Sequence, residues 1–308
     1  MEIKKIFSAV LSVVFCVSTF GTAAAAVPDT VQGKLAAVET TMYGEEQTGA
    51  LMTRINTLEK DYAGSHPKGS MMSRVDSLYS MMFDNSVEPS LQAKMNALEW
   101  TIMHQVSRDS IQARTAVMEN AMNGNTASGT YKSRIDKLAT YAFGTTNIPL
   151  TQVTVPANTL VKIALVTPIN AKTMKAGDTV QYTVAEDVLQ DGMLIFAKGA
   201  PGSGVVKKVE QASNFGRDAK IDIDFQTATA MDGTSVDMTL GAEAQEKMET
   251  MAMAAGASIA GMIVLGPIGI IGGAFVKGKN IDLPAGTELY IQTKADTVLY
   301  GIPTTEAM

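Results

Sequence analysis

The sequence is short of the residues on which much protein chemistry depends. Its 308 residues include one cysteine, two histidines and one tryptophan, and only 18% of them are charged. One cysteine forms no internal disulfide, and with two histidines it cannot supply the four ligands of a structural zinc site. Lys and Arg number 25 against 31 Asp and Glu, so there is no basic excess for a phosphate backbone. These shortages argue against a disulfide scaffold, a metal site and a nucleic-acid partner, and they name no reaction.

The N-terminus has the organisation of a secretory signal peptide. Two lysines precede an uncharged apolar run at 6–20, and small residues follow up to Ala26. The run is shorter than the ~20 residues that a membrane-spanning helix needs. We therefore predict a signal peptide at 1–26 and an exported protein of the periplasm, the outer membrane or the cell surface, with an uncleaved anchor as the alternative. A bulky residue precedes Cys16, which argues against lipidation at that cysteine.

Residues 31–150 consist of six copies of a 20-residue unit without insertions. A basic residue recurs at Lys34, Arg54, Arg74, Lys94, Arg114 and Arg134. Five residues later an acid stands at Glu39, Glu59, Glu99 and Glu119, and Tyr79 and Ala139 replace it in the other two units. Apolar residues at relative positions 1, 5, 8 and 12 form one stripe, so each unit is predicted to be an amphipathic helix.

The ends of these helices also carry a signal. A hydroxyl residue suited to an N-cap precedes the stripe at Thr30, Ser70, Ser90, Ser110 and Thr130, and a glycine suited to a C-cap follows it at Gly44, Gly64, Gly124 and Gly144. A single short helix cannot bury its own stripe, so the units must pack on each other, on another chain or on the rest of the protein.

The charged positions of the unit flank the apolar stripe on opposite sides. Neighbouring helices are therefore expected to pair a Lys or Arg of one unit with a Glu of the next. Exposed pairs contribute only about 0–1 kcal/mol each, so they would select alignment more than hold the fold. The predicted interaction positions of the repeats are Arg54, Arg74, Lys94, Arg114, Glu59 and Glu99. A spacer or interaction surface and an ordinary packed helical domain remain equal alternatives.

The second half of the chain changes character. A polar, proline-bearing stretch occupies residues 145–156, and from residue 159 the apolar period becomes two. Asp191-Gly192 and Asp232-Gly233 have the chemistry of hairpin turns. The pattern predicts an antiparallel β-barrel or sandwich over 151–308, following a helical domain over 27–150. The fold class is therefore α+β with two domains.

Three similar phrases lead into predicted strands and are expected to be equivalent corners: Val155-Pro156-Ala157-Asn158-Thr159, Phe196-Ala197-Lys198-Gly199-Ala200 and Leu283-Pro284-Ala285-Gly286-Thr287. With Thr167-Pro168-Ile169-Asn170, Gly177-Asp178, Val184, Asp187-Val188 and Gly204, this half resembles the C-terminal β-barrel domain of TrbI-like conjugation proteins, the outer-membrane-complex scaffold of type IV secretion systems. The resemblance implies a periplasm-facing β-domain of an envelope protein. Members of that family usually have an inner-membrane helix and a proline-rich stretch, whereas this chain has a predicted cleavable signal and helical repeats, so a role in conjugation is not implied. The helical units resemble repeats of secreted bacterial surface proteins.

Residues 250–276 carry no charge. The segment is long enough to span a bilayer, but it contains Gly256, Gly261, Gly266, Pro267, Gly269, Gly272 and Gly273. Small residues allow helices to approach closely in membranes or oligomers, so we predict membrane insertion or self-association through an inserted helical segment. In the resembled family a comparable insertion enters the outer membrane, which implies outer-membrane contact here. A helical hairpin that covers the barrel, or a loop, is the alternative.

No catalytic constellation is evident. His66 and His104 have no nucleophile motif beside them, and Asp222 and Asp224 share one strand face without the spacing of a calcium loop. We predict a non-enzymatic envelope scaffold, tether or assembly component that uses no cofactor and no small-molecule substrate, with itself or envelope proteins as partners. The alternative is a secreted adhesin or glycan-binding protein in which exposed Tyr43, Tyr62, Tyr79 and Phe83 contact the ligand. A hydrolase is the least favoured class.

Overall fold

The computed structural model describes residues 28–212, 219–254, 274–278 and 281–304. Its fold is α+β, which confirms the predicted class: over these residues six helices come first, and a β region with one further helix follows. The predicted signal peptide at 1–26 lies outside the described residues. Within the four ranges, no helix has both the length and the apolar character needed to cross a membrane.

The six repeats form six helices of equal length, which confirms the predicted period. They are α1 Val31–Tyr43, α2 Leu51–Ala63, α3 Met71–Phe83, α4 Leu91–Met103, α5 Ile111–Asn123 and α6 Tyr131–Phe143. Their apolar stripes meet in one core, which contains Leu35, Ile55, Val75, Leu98, Met118 and Leu138 among others. The units therefore pack on each other, and we call them the helical array.

The predicted caps are present. The hydroxyls of Thr30, Ser70, Ser90, Ser110 and Thr130 each accept a hydrogen bond from the backbone N–H three residues further on. The four predicted glycines end their helices in the left-handed conformation, and His104 takes the same conformation at the end of α4, with φ of 52°. Local sequence thus determines where most of the helices begin and where most of them end.

The start of α2 is the exception, and it provides a stability test. Ala50 occupies the N-cap position and makes no side-chain cap bond. Ala50→Ser is expected to raise the free energy of unfolding by about 1 kcal/mol, and Ser70→Ala to lower it by a similar amount, because one backbone N–H gains or loses its acceptor. Chemical denaturation measures both. A normal loss for Ser70→Ala without any gain for Ala50→Ser would contradict the prediction.

In the β region, the described residues form thirteen strands and helix α7. The strands are β1 Thr151–Val155, β2 Leu160–Leu165, β3 Ile169–Asn170, β4 Thr179–Val184, β5 Val188–Gln190, β6 Met193–Phe196, β7 Pro201–Glu210, β8 Ala219–Thr229, β9 Ser235–Thr239, β10 Ala274–Gly278, β11 Asp282–Leu283, β12 Glu288–Thr293 and β13 Thr297–Pro303, with α7 Ala242–Ala254 between β9 and β10. Six strands close a barrel in the order β8-β7-β4-β2-β12-β9, because β9 pairs again with β8. β10 pairs with the same edge of β8 as β9 does, but with the residues at the start of β8. A separate sheet has the order β1-β13-β6-β5.

The predicted turns are confirmed. Asp191 and Gly192 both have positive φ between β5 and β6, as a two-residue hairpin turn requires. In the three corner phrases, Asn158, Gly199 and Gly286 have φ of 67°, 86° and 85°. The next residue of each phrase donates its N–H to the carbonyl three positions earlier, so the three corners share one geometry and each leads into a strand.

The four-stranded sheet is a layer between the barrel and the helices. Val153, Ile195 and Leu299 face the barrel and belong to its apolar core. Leu194 and Ile302, on the same strands β6 and β13, belong to a different cluster that includes a residue of α4. Alternate residues of these strands thus serve two packing surfaces, as the twofold period of a strand allows.

The glycine-rich segment is described only at its ends. Its first residues belong to α7, and residues 274–276, which the prediction included in the helical insertion, belong to strand β10. Gly256, Gly261, Gly266, Pro267, Gly269, Gly272 and Gly273 lie outside the described residues. Membrane insertion and self-association through this segment remain predictions.

Candidate interaction surface between the helices and the sheet

A ladder of ion pairs joins most of the helices. In each of four pairs an arginine Nε lies 2.9 Å from a carboxylate oxygen of the glutamate 15 residues earlier: Arg54–Glu39, Arg74–Glu59, Arg114–Glu99 and Arg134–Glu119. The arginine side chains are 4–11% exposed and the glutamates 0–4%. The predicted positions Arg54, Arg74, Arg114, Glu59 and Glu99 therefore lie in pairs inside the array. The small stabilisation expected for exposed pairs does not apply to them.

Three of these glutamates also fix the loop after their own helix. Glu39, Glu99 and Glu119 accept the backbone N–H of the residue eight positions later. In Glu119, burial favours the neutral acid, but hydrogen bonds from Arg134 and from the Ala127 N–H outweigh it and lower the pKa of the carboxyl below its usual value. Each such glutamate thus holds one helix, the loop and the next helix together.

This pKa predicts that acid weakens the array. The pKa of Glu119 is lower in the folded than in the unfolded chain, so its stabilisation is complete above an unfolded value of about 4.3. It is lost as pH falls through the lower folded value, because the unfolded state then binds more protons. Urea denaturation between about pH 6 and pH 3 should show this decline, and Glu119→Gln should make it shallower. An identical slope in the variant would contradict the assignment.

The ladder is interrupted between α3 and α4. Tyr79 stands where four other units have Glu, and its ring packs on Phe83 with centroids 4.8 Å apart. Lys94, the remaining predicted interaction position, replaces arginine; its Nζ lies 3.9 Å from Glu88, and its side chain is 36% exposed. The interruption coincides with the place where the array meets the β region.

Helix α4 is buried on two sides. Met95 and Leu98 belong to the array core, whereas Ala97 packs in a separate cluster with residues of the β region. We call the β side of this cluster the docking face, and it consists of Leu194, Ala197, Met231 and Ile302. Each of these residues is at most 2% exposed, and Trp100 of α4 packs at their edge.

Side-chain hydrogen bonds orient this contact. Asn96 Nδ2 donates to the Met231 carbonyl at 2.9 Å, and Asn85 Nδ2 donates to the Asp232 carbonyl at 3.0 Å. The Tyr300 hydroxyl donates to a carbonyl of the α3–α4 loop at 3.4 Å. Because such bonds need both distance and direction, they fix the register of α4 on the sheet.

Asn96 also joins the docking contact to the ladder. Its Oδ1 accepts from Arg114 Nη2 at 2.8 Å, while Glu99 holds the Nε of the same guanidinium. Burial lowers the pKa of Arg114 below the usual arginine value, although Glu99 opposes that effect. Arginine remains charged in proteins, so the buried guanidinium needs Glu99 and Asn96 to replace the hydrogen bonds that it would make with water.

A cleft of about 220 Å³ follows the seam beside α4. It is lined by Asn85, Ser86, Gln152, Asp232, Val298, Leu299 and Tyr300. The buried Asp232 carboxylate accepts the N–H groups of Thr234 and Tyr300 at 2.9 Å each, and burial raises the pKa of this carboxyl. Gln152 Nε2 donates to the Tyr300 hydroxyl. These polar groups already bond to protein atoms, so the cleft is a packing boundary between the array and the β region.

The residues considered for catalysis are dispersed. His66 Nδ1 lies 3.4 Å from Glu59 in the loop after α2, and His104 packs edge-on against Trp100. Asp224 pairs with Lys207 at 3.0 Å. In the part of the chain that the structure describes, no group of three or more His, Cys, Asp or Glu could hold a metal ion.

The exposure expected for the adhesin aromatics is wrong. Tyr43, Tyr62, Tyr79 and Phe83 are half-buried and pack against the array core. The Tyr43 hydroxyl donates to Asp61 at 2.9 Å, and burial is the largest cause of its strongly raised pKa. These side chains complete the stripe because the helices surround one common core.

Sequence reasoning missed Asn85, Asn96, Trp100 and the docking role of Asp232. A signal for this surface was nevertheless present, since the ladder residues change at Tyr79 and Lys94 and only unit four combines asparagine, alanine and tryptophan at 96, 97 and 100. Departure from the repeat thus marks the unit that has a second surface to bury.

No protein-family model matches the chain, and no curated protein matches it either. Several solved structures do match. One is ComB10 of the Com type IV secretion system of Helicobacter pylori, with 16% identity over 46% of this chain and 88% of that chain and a TM-score of 0.26. This is a loose likeness to a type IV secretion component, and at that TM-score it supports no conclusion about function.

Proposed function

We propose that the protein is a non-enzymatic scaffold or assembly component of the cell envelope, exported by a signal peptide at 1–26. Two domains, divided near residue 150, would act as one unit. The observation that carries the proposal is the docking of α4 on the four-stranded sheet through Ala97 and Asn96. The arginine–glutamate pairs of the array hold its own helices together, and one unit attaches the array to the four-stranded sheet. Such an arrangement suits a protein that holds surfaces in a fixed relative position.

The adhesin alternative has no specific observation in its favour. The aromatic residues that would contact a ligand are half-buried in the array. Tyr141 is 68% exposed, but one exposed aromatic residue is ordinary on a protein surface.

Fractionation of native cells with cross-linking tests the proposal. We expect the processed chain in the envelope fraction, in a complex larger than a monomer. Ala97→Arg should keep export but lose the complex, because a charge in the buried contact releases the array. Val117→Arg is the matched control, since Val117 occupies the equivalent position of α5 and is 47% exposed. Recovery of the unmodified chain as a monomer in the culture supernatant would overturn the proposal.

A further inference from the structure

The contact between α4 and the docking face is separable from both cores. Among the described residues, the array core and the barrel core have no member in common, and the docking cluster is a third group around Ala97. In the part of the chain that the structure describes, Phe143 and Ile148, both partly buried, are the residues that pack on both the array core and the docking cluster. The array can therefore leave the docking face without opening either core. Contacts of this kind within one chain resemble transient protein–protein interfaces.

The docking face is selective for α4. Asn96 supplies the amide that bonds the Met231 carbonyl, and Ala97 and Trp100 supply the apolar contact. At the positions equivalent to 96, 97 and 100, α1 has Ala36, Ala37 and Thr40, α2 has Asn56, Thr57 and Lys60, α3 has Asp76, Ser77 and Ser80, α5 has Ala116, Val117 and Asn120, and α6 has Asp136, Lys137 and Thr140. No other unit has all three groups, so the helix that fits this face is α4, from the same chain or from a second copy.

The connection between the two halves is short. Residues 144–150 join α6 to β1 and reach about 25 Å when extended. Within it, Leu150 packs on the docking cluster, and Ile148 packs on both the docking cluster and the array core. Release of α4 therefore frees a hinge, and short hinges favour the exchange of identical elements between chains.

From these observations we propose that the docking face binds α4 of a second copy of this chain, giving a swapped dimer whose contacts are those seen within the monomer. Docking within one chain is favoured at low concentration, because a short linker provides an effective concentration of the order of 1 mM. Exchange is favoured when chains fold or open at high local concentration. This deepens the proposed assembly role by naming the partner. The test uses purified protein, so its failure would leave the envelope role to be judged by fractionation.

Two complementary variants test the exchange. Ala97→Arg damages α4 but leaves the docking face intact, and Ala197→Arg damages the docking face but leaves α4 intact. Each variant alone should be monomeric by light scattering after size exclusion. An equimolar mixture at about 200 μM should form a heterodimer, since one intact helix and one intact face are then available in trans. The fluorescence of Trp100, the only tryptophan, should return toward that of the unmodified chain.

Two controls define the result. A chain carrying both substitutions should stay monomeric at every concentration. Val117→Arg mixed with Ala197→Arg should give little heterodimer, because the face of the Val117→Arg chain is already filled by its own α4. Circular dichroism establishes that each variant is folded. Folded variants that remain monomeric when mixed would overturn the proposal.

The unmodified chain provides a test that needs no substitution. After unfolding in denaturant and refolding at increasing protein concentration, the dimer fraction should rise and should persist after dilution. A dimer fraction that does not depend on the refolding concentration, or no dimer at all, would refute the exchange even where a variant fails to fold.

Discussion

Replacing Arg114 with methionine is expected to lower the free energy of unfolding by about 3–5 kcal/mol, because a buried carboxylate then loses its partner. Arg114 is 4% exposed, and its Nη2 lies 2.9 Å from Glu99, which is 3% exposed. The variant also leaves Asn96 Oδ1 without its donor, next to the amide that holds Met231. Chemical denaturation measures the loss, and Trp100 fluorescence reports whether α4 leaves the docking face.

The equivalent position of the preceding unit provides the matched control. Lys94→Met removes a cation that is 36% exposed and lies 3.9 Å from its acid, so the expected change is within about 1 kcal/mol. Arg114→Met combined with Glu99→Leu should recover much of the loss, since an apolar pair replaces the ion pair. Recovery would be incomplete because the Ser107 N–H loses its acceptor. Equal losses for Lys94→Met and Arg114→Met would contradict the difference in burial.

The helical array could be predicted closely because its determinants are local. Thr130 and Gly144, for example, set the limits of α6 through bonds to residues a few positions away. The stripe of each unit follows from the period of the helix. The turns at Asp191-Gly192 and in the three corner phrases could be predicted for the same reason, because backbone φ depends on the residue itself.

The environment of the ladder could not be predicted, because burial depends on how helices pack. The sequence places Arg114 and Glu99 on the flanks of a stripe, where a pair of helices would leave them in water. In the structure all six stripes share one core, and the flanks of neighbouring helices close over it. Arg–Glu pairs between neighbouring units are present, but the condition of exposure under which a small contribution was expected is not met, since these pairs are removed from solvent.

Contacts between distant parts of the chain left no periodic signal. Asn96 bonds the carbonyl of Met231, 135 residues away, and a carbonyl has no side-chain signature. The assignment of β6 and β13 to a separate sheet is equally non-local, since each strand alternates like those of the barrel. What the sequence does show is that unit four departs from the consensus. In a strict repeat, a unit that departs from the consensus is therefore expected to carry a second contact surface.

Phe225→Ala is expected to lower the stability of the barrel by about 3–5 kcal/mol, because it leaves a cavity in a packed interior. Phe225 on β8 is 2% exposed, and its ring centroid lies 5.7 Å from that of Tyr182 on β4. The Tyr182 hydroxyl donates to the Thr227 carbonyl at 2.9 Å, so this ring is held and cannot move freely into the space. Val298→Ala on β13, where valine is 59% exposed, is the control and should change stability by less than about 0.5 kcal/mol.

The same variant distinguishes a filled barrel from an open one. Inward residues of the closed strands, among them Ile163, Tyr182 and Ile291, form one apolar cluster with Phe225. A small closed barrel of this kind has an interior that its own side chains fill. The cavity left by Phe225→Ala should therefore be dry and should bind benzene or xenon, which raises the melting temperature of the variant but not of the unmodified chain. A loss below about 1 kcal/mol, with no stabilisation by benzene, would mean that the interior is not packed around Phe225.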